Sequence, residues 1–154
     1  MGILGLFMFG AKMAMAGLPN IEPVSLLVMI YAVTLGRKAL YPIYTYVGLE
    51  FCTWGINFWC INYLYVWLIL YLLARLFHKM ESALGWAILS GGFGLLFGVL
   101  CAPVYILSGG WAFGLTWWIN SIPFDIAHAV GNFVMALVLF VPLREVMTRL
   151  LKRF

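Results

Sequence analysis

Four ionisable side chains stand inside otherwise apolar stretches of this sequence: Lys12, Glu50, Asp125 and His128. An ionised group facing lipid costs a few kcal/mol, roughly 2.5–3.5 kcal/mol at a helix centre on insertion scales. Such residues turn inward, pair with one another, or line a wet cavity. Other polar groups join them at helical spacing. Glu50, Trp54 and Asn57 follow an i, i+4, i+7 pattern and share a helix face. Asn62 and Tyr65 pair at i, i+3, and Asp125, His128 and Asn132 follow i, i+3, i+7. Asn20 and Glu22 stand in a loop, and Trp111, Trp117, Trp118 and Asn120 crowd a later one. Aromatic walls with a few convergent polar groups are the usual form of a small-molecule site. The expectation is therefore one pocket that binds a solute.

Each group also has a plainer reading. Lys12 serves equally as a structural partner for Glu50 or Asp125. Asp125 suits a helix N-cap or first turn, where the dipole favours an anion, and His128 suits a hydrogen-bonded interior position. The tryptophans double as interfacial anchors, and Tyr41, Tyr44 and Tyr46 as belt or core. The sequence holds no HExxH, GxSxG, P-loop or CxxC motif. Asp125 and His128 share a face but lack the third ligand a metal wants. No enzymatic activity, metal or cofactor is expected. With no ATP-binding element in the sequence, active transport has to draw energy from another chain or from an ion gradient.

The elements that position these groups follow from composition. The 154 residues are 66% hydrophobic and 9% charged, with a mean hydropathy of +1.06. Soluble domains average roughly 45–50% apolar and about 25% charged, so a water-soluble globule and a disordered chain are both excluded. Backbone in lipid must satisfy its own hydrogen bonds, which leaves helices or a closed barrel. Runs such as Leu68-Ile69-Leu70-Tyr71-Leu72-Leu73 lack the alternation of barrel strands. The prediction is an all-α integral membrane protein, a single domain over residues 1–154.

Six stretches are expected: Gly2–Gly17, Pro23–Gly36, Ala39–Gly55, Cys60–Phe77, Ser82–Leu107 with a break at Pro103, and Pro123–Leu143 with a basic tail. Met1–Ala16 lacks a basic n-region and reads as a span rather than a cleaved signal. Loops are expected at Leu18–Glu22, Ile56–Trp59 and Ser108–Ile122. Eight of the nine Lys and Arg residues lie at the ends of stretches two, four and six: Arg37, Lys38, Arg75, Lys79, Arg144, Arg149, Lys152 and Arg153. By the positive-inside rule these ends, and both termini, face the cytoplasm. The net charge of +4 is thus a topology signal, and no nucleic-acid partner is expected. Cys52, Cys60 and Cys101 read as free thiols. Ser90, Gly94, Gly98 and Ala102 form one ridge of small residues, and Gly2, Gly10 and Ala14 another, where helices approach closely.

Several segments carry a family resemblance. They are Leu18-Pro19-Asn20-Ile21-Glu22-Pro23, Gly36-Arg37-Lys38-Ala39-Leu40-Tyr41, Asn62-Tyr63-Leu64-Tyr65-Val66-Trp67, and Ile122-Pro123-Phe124-Asp125 with His128, Gly131 and Asn132. In this order, along nearly the whole chain, the sequence resembles the S component of energy-coupling factor vitamin transporters. The resemblance implies six transmembrane helices in a prokaryotic plasma membrane and a pocket that captures a vitamin or related micronutrient from outside. It implies partners too: a transmembrane coupling subunit and two cytoplasmic ATPases. Substrate contacts would come from the outer loops and the outer ends of the later helices. Docking would fall on span one, where the family's Ala-x-x-x-Ala has its nearest equivalent in Gly2, Gly10 and Ala14. A flavin, a pyridoxine-like compound, a modified-nucleobase precursor or a corrinoid fragment all suit the residue set, and a substrate carboxylate or phosphate would pair with Lys12. A solitary gradient-driven transporter and a small intramembrane enzyme are the alternatives.

Overall fold

The computed structural model describes residues 1–17 and 22–153. It is all-helical among these residues. The helices are α1 (Gly2–Ala14), α2 (Val24–Leu35), α3 (Leu40–Trp54), α4 (Phe58–Leu76), α5 (Ala83–Leu95) and α6 (Phe97–Leu151), with a 3-10 turn at Gly36–Ala39. Three helical segments are long and apolar enough to cross a membrane: Val24–Trp54, Phe58–Leu76 and Ala83–Leu151. Gly2–Ala14 is a shorter apolar helix.

Helix α2 is apolar on every side, and every residue from Val24 to Ala32 is buried. A helix with no polar face belongs at the centre of a bundle, and α1, α4 and α6 all pack against α2. Its end is set by Gly36, whose φ of 60° suits a residue without Cβ. A close approach fixes α1 on α3: a Cβ on Gly5 would lie 2.6 Å from Thr45 Cβ. Side-chain caps start two helices. Asn57 accepts from the Cys60 amide at 2.9 Å to open α4, and Ser82 accepts from the Gly85 amide at 3.1 Å to open α5.

The C-terminal half departs from expectation in two places. The break in the Ser82–Leu107 stretch falls at Leu96 and not at Pro103, which lies inside α6. Ser108–Ile122 is not a loop: it is helical except at Gly110, where φ is 82° and ψ 176°. There α6 doubles back. Tyr105 stacks on Trp117 with ring centroids 4.0 Å apart, and a Cβ on Gly94 would lie 2.9 Å from the His128 carbonyl oxygen. The small residues Gly91, Gly94 and Gly98 thus let α5 and the first arm of α6 (97–109) lie close against the second arm (111–151). The second arm is long because its Trp- and Asn-containing segment packs on the first, and that contact overrides its loop-like composition. The backbone region of Gly110 is open essentially to glycine alone. Gly110→Ala should lower stability by about 1–3 kcal/mol, measured by thermal unfolding in detergent, although a Cβ there meets no neighbour.

Polar groups segregate between the two ends of the bundle. At one end Arg75 donates to the Ala32 carbonyl at 3.2 Å and Arg144 to the Met80 carbonyl at 3.5 Å. At the other lie Lys12, Glu50, Asn57, Asp125 and His128. The core between them includes Tyr46, Tyr63, Trp67, Trp86 and Phe140, all essentially inaccessible. Cys60 and Cys101 are buried, Cys52 is exposed, and all three are free thiols.

Candidate ligand-binding cavity

A cavity of about 840 Å³ opens at the end of the bundle away from the arginines. Its size falls within the usual range for small-molecule sites. Six parts of the chain build it: the end of α1, the residue Glu22 before α2, the α3–α4 turn, the start of α4, and both arms of α6. Lys12, Glu22, Trp54, Asn57, Asn62, Trp117, Asn120, Asp125 and His128 line it.

The centre of charge is an ion pair between α1 and α3. Lys12 Nζ lies 2.9 Å from each carboxylate oxygen of Glu50. Glu50 is fully buried behind the wall, so it supports Lys12 and does not itself face the cavity. The ammonium also sits over three rings, 5.1 Å from Tyr63, 5.7 Å from Trp59 and 5.9 Å from Tyr46. Cation–π attraction of this kind strengthens as water is removed. Lys12 is thus spent on an internal partner, the plainer of its two sequence readings.

Asp125 sits on the second arm of α6 and crosses to the first. Its Oδ1 accepts from the Gly98 amide at 3.0 Å, and its Oδ2 lies 3.0 Å from Ser121 Oγ, whose one proton is shared with the Trp118 carbonyl at 2.8 Å. No cation pairs with it among the described residues. It lies within a continuous helix rather than at an N-cap. One turn on, His128 is edge-on to Phe97 with centroids 4.9 Å apart, and its Nε2 is buried without a hydrogen-bond partner. The Tyr65 hydroxyl donates to the Leu100 carbonyl at 2.7 Å and lies 2.9 Å from the Asn62 side-chain oxygen, which shares its one proton. Tyr65 therefore braces Asn62 from outside the lining.

The other expected site residues are placed variously. Trp111 is 73% exposed near the α6 reversal and does not reach the cavity; nor does Trp118. Both sit on the same helical arm as Trp117, and the helix turns them away. Asn132 lies deeper, donating to Ser25 Oγ at 3.0 Å and to the Ser90 carbonyl at 3.4 Å. Its i+7 spacing aligned it with Asp125 but placed it one turn beyond His128, below the cavity floor. Asn57 does not continue the α3 face, because Gly55 with φ 73° ends that helix; it reaches the cavity as the cap of α4. Asn20 lies outside the described residues. Gly2, Gly10 and Ala14 are exposed along α1.

The cavity wall includes residues the spacing argument passed over: Trp59, Tyr63, Phe97, Cys101, Tyr105, Ser121 and Phe124. One signal for them was present. Trp59, Tyr63 and Trp67 repeat at i+4 along α4, and their rings meet in sequence, Trp59–Tyr63 at 5.8 Å and Tyr63–Trp67 at 5.2 Å.

Glu22 is the titratable group of the connection before α2. Burial pushes its carboxyl from 4.5 up to about 7, a rise opposed by Lys12 and reinforced by Glu50. The folded state therefore holds the proton that the unfolded chain releases above about 4.5. Stability from this group is present at acid pH and erodes as pH rises toward 7. In thermal melts from about pH 5 to about pH 8, the wild-type midpoint should fall relative to that of Glu22→Gln, which carries no charge at that position.

Taken together, the walls are aromatic, the polar groups come from both halves of the chain, and no group of three or more metal-ligating residues occurs among the described residues. The arrangement suits reversible binding of a flat molecule with hydrogen-bonding edges. Comparison with family models, with curated proteins and with solved structures finds no match to this chain.

Proposed function

We propose that this chain is the substrate-capture subunit of an energy-coupling factor type importer, taking a heterocyclic micronutrient from outside a prokaryotic cell. The observation that carries the reading is the placement of an aromatic, polar-edged cavity at one end of the bundle and the basic residues at the other. With the basic end in the cytoplasm, the cavity opens outward. Counting α5 with residues 97–109 as one crossing and residues 111–151 as another gives six crossings, with both termini at the basic end. The resemblance noted in the sequence supports the same architecture and adds the partners, a membrane coupling subunit and two ATPases. The exposed face of α1 with Gly2, Gly10 and Ala14 is the surface offered to the coupling subunit.

Affinity purification of the tagged full chain from its native membrane tests this. The expected result is co-purification of one membrane protein and two ATPases, with uptake that depends on ATP. Gradient-driven uptake by the chain alone in vesicles would replace the reading with that of a solitary transporter. Turnover of a lipid or peptide, lost on Asp125→Asn or His128→Ala, would make the protein an enzyme.

A further inference from the structure

The charges around the cavity do not balance. Three carboxyl groups and one ammonium stand on or immediately behind its wall: Glu22, whose proton is held up to about pH 7 and is released more readily beside a bound cation, Glu50, Asp125 and Lys12. Lys12 is bound through both oxygens of Glu50, so that pair is neutral and its hydrogen bonds are satisfied. Glu22 and Asp125 remain, and neither has a cation within 4 Å among the described residues. The hydrogen bonds that Asp125 accepts come from uncharged donors, a backbone amide and a hydroxyl. The rings of Tyr63, Trp59, Tyr105, Trp117 and Phe97 line the same space, and the faces of aromatic rings attract a cation and repel an anion. A further observation points to an absent partner. The imidazole of His128 forms part of the wall, is 3% exposed, and has an Nε2 with no hydrogen-bond partner.

We infer that the cavity selects a planar heteroaromatic ligand carrying positive charge, which Glu22 and Asp125 compensate while its ring edge meets His128. This rests on the reading of the cavity as a capture site and specifies the class of molecule captured. A carboxylate or phosphate ligand is disfavoured by the same charges, because the single ammonium already has its partner.

The test is a charge series on one ring, titrated against the full-length protein in detergent by tryptophan fluorescence and thermal shift. The probes are nicotinate, nicotinamide and 1-methylnicotinamide, which are anionic, neutral and cationic. The cation should bind at least about tenfold more tightly than the anion, and Glu22→Gln or Asp125→Asn should each weaken it by about tenfold to a hundredfold. Glu22→Gln lies outside the helices, so it reads the effect even where Asp125→Asn fails to fold. Equal or tighter binding of nicotinate or nicotinamide overturns the inference and leaves the capture reading intact, since that reading stands on partner co-purification. If all three single-ring probes are silent, thiamine, a two-ring cation, should still bind; silence there too overturns the inference.

Discussion

Replacing Lys12 by methionine should destabilise the protein by about 3–5 kcal/mol, the usual result of breaking a buried ion pair from one side. Glu50 is 0% exposed, and both its oxygens take their hydrogen bonds from Lys12 at 2.9 Å. Without the ammonium, the carboxylate must stay charged among Tyr46, Tyr63 and the core of α3, or take up a proton. Either course is costly in a medium that solvates ions poorly. The thermal midpoint in detergent measures the loss. Adding Glu50→Gln to Lys12→Met should recover a large part of it, since the second change removes the stranded charge. A double-mutant cycle then gives the coupling directly. If Lys12→Met melts within about 0.5 kcal/mol of wild type, the pair does not hold α1 to α3.

The second large effect belongs to Gly98. Its amide donates to Asp125 Oδ1 at 3.0 Å, and a Cβ built at this position would run into Ser121 Oγ and Asp125 Oδ2. Gly98→Val therefore has to push the second arm of α6 away or swing Asp125 out of place. Overpacking of this kind costs about 1–3 kcal/mol in stability. The larger consequence is for binding: a displaced carboxylate loses its contact to ligand, about 1.5–3 kcal/mol for a charged hydrogen bond, on the order of a hundredfold in affinity. Gly92 supplies the comparison. It lies on α5, where a Cβ meets nothing within 4 Å, and Gly92→Ala should raise stability by about 0.5–1 kcal/mol with affinity unchanged. Titration of both variants with a bound micronutrient, alongside their melts, separates the two effects.

What was legible in the sequence follows from the cost of charge in apolar surroundings. Lys12, Glu50, Asp125 and His128 had to turn inward, and they do, because lipid-facing alternatives are expensive. The helical class was legible for the same kind of reason, since backbone groups in an apolar medium must pair within the segment. The helix reversal was not. Gly109 and Gly110 are adjacent and equivalent by composition, and only the contact with the returning arm decides between them. A Cβ on Gly109 would lie 2.6 Å from Phe113, whereas Gly110 takes the positive φ. Without that reversal in hand, Trp111, Trp117 and Trp118 look alike; with it, Trp117 stacks on Tyr105 and the other two face elsewhere. Asn132 shows a different limit. Helical spacing fixes which face a residue occupies but not how deep the cavity runs along that face, and Asn132 lies below its floor against Ser25 and Ser90. The stripe of Trp59, Tyr63 and Trp67 reads equally as core or as wall, and it is both, with Trp67 buried and Trp59 49% exposed.

Native mass spectrometry of the full chain, released from mild detergent after purification from its native membrane, tests the central claim most directly. The account predicts one small molecule retained per chain in wild type, and a bare chain for Gly98→Val purified in parallel. A wild-type chain that carries nothing, or a retained molecule that persists unchanged in Gly98→Val, would contradict it.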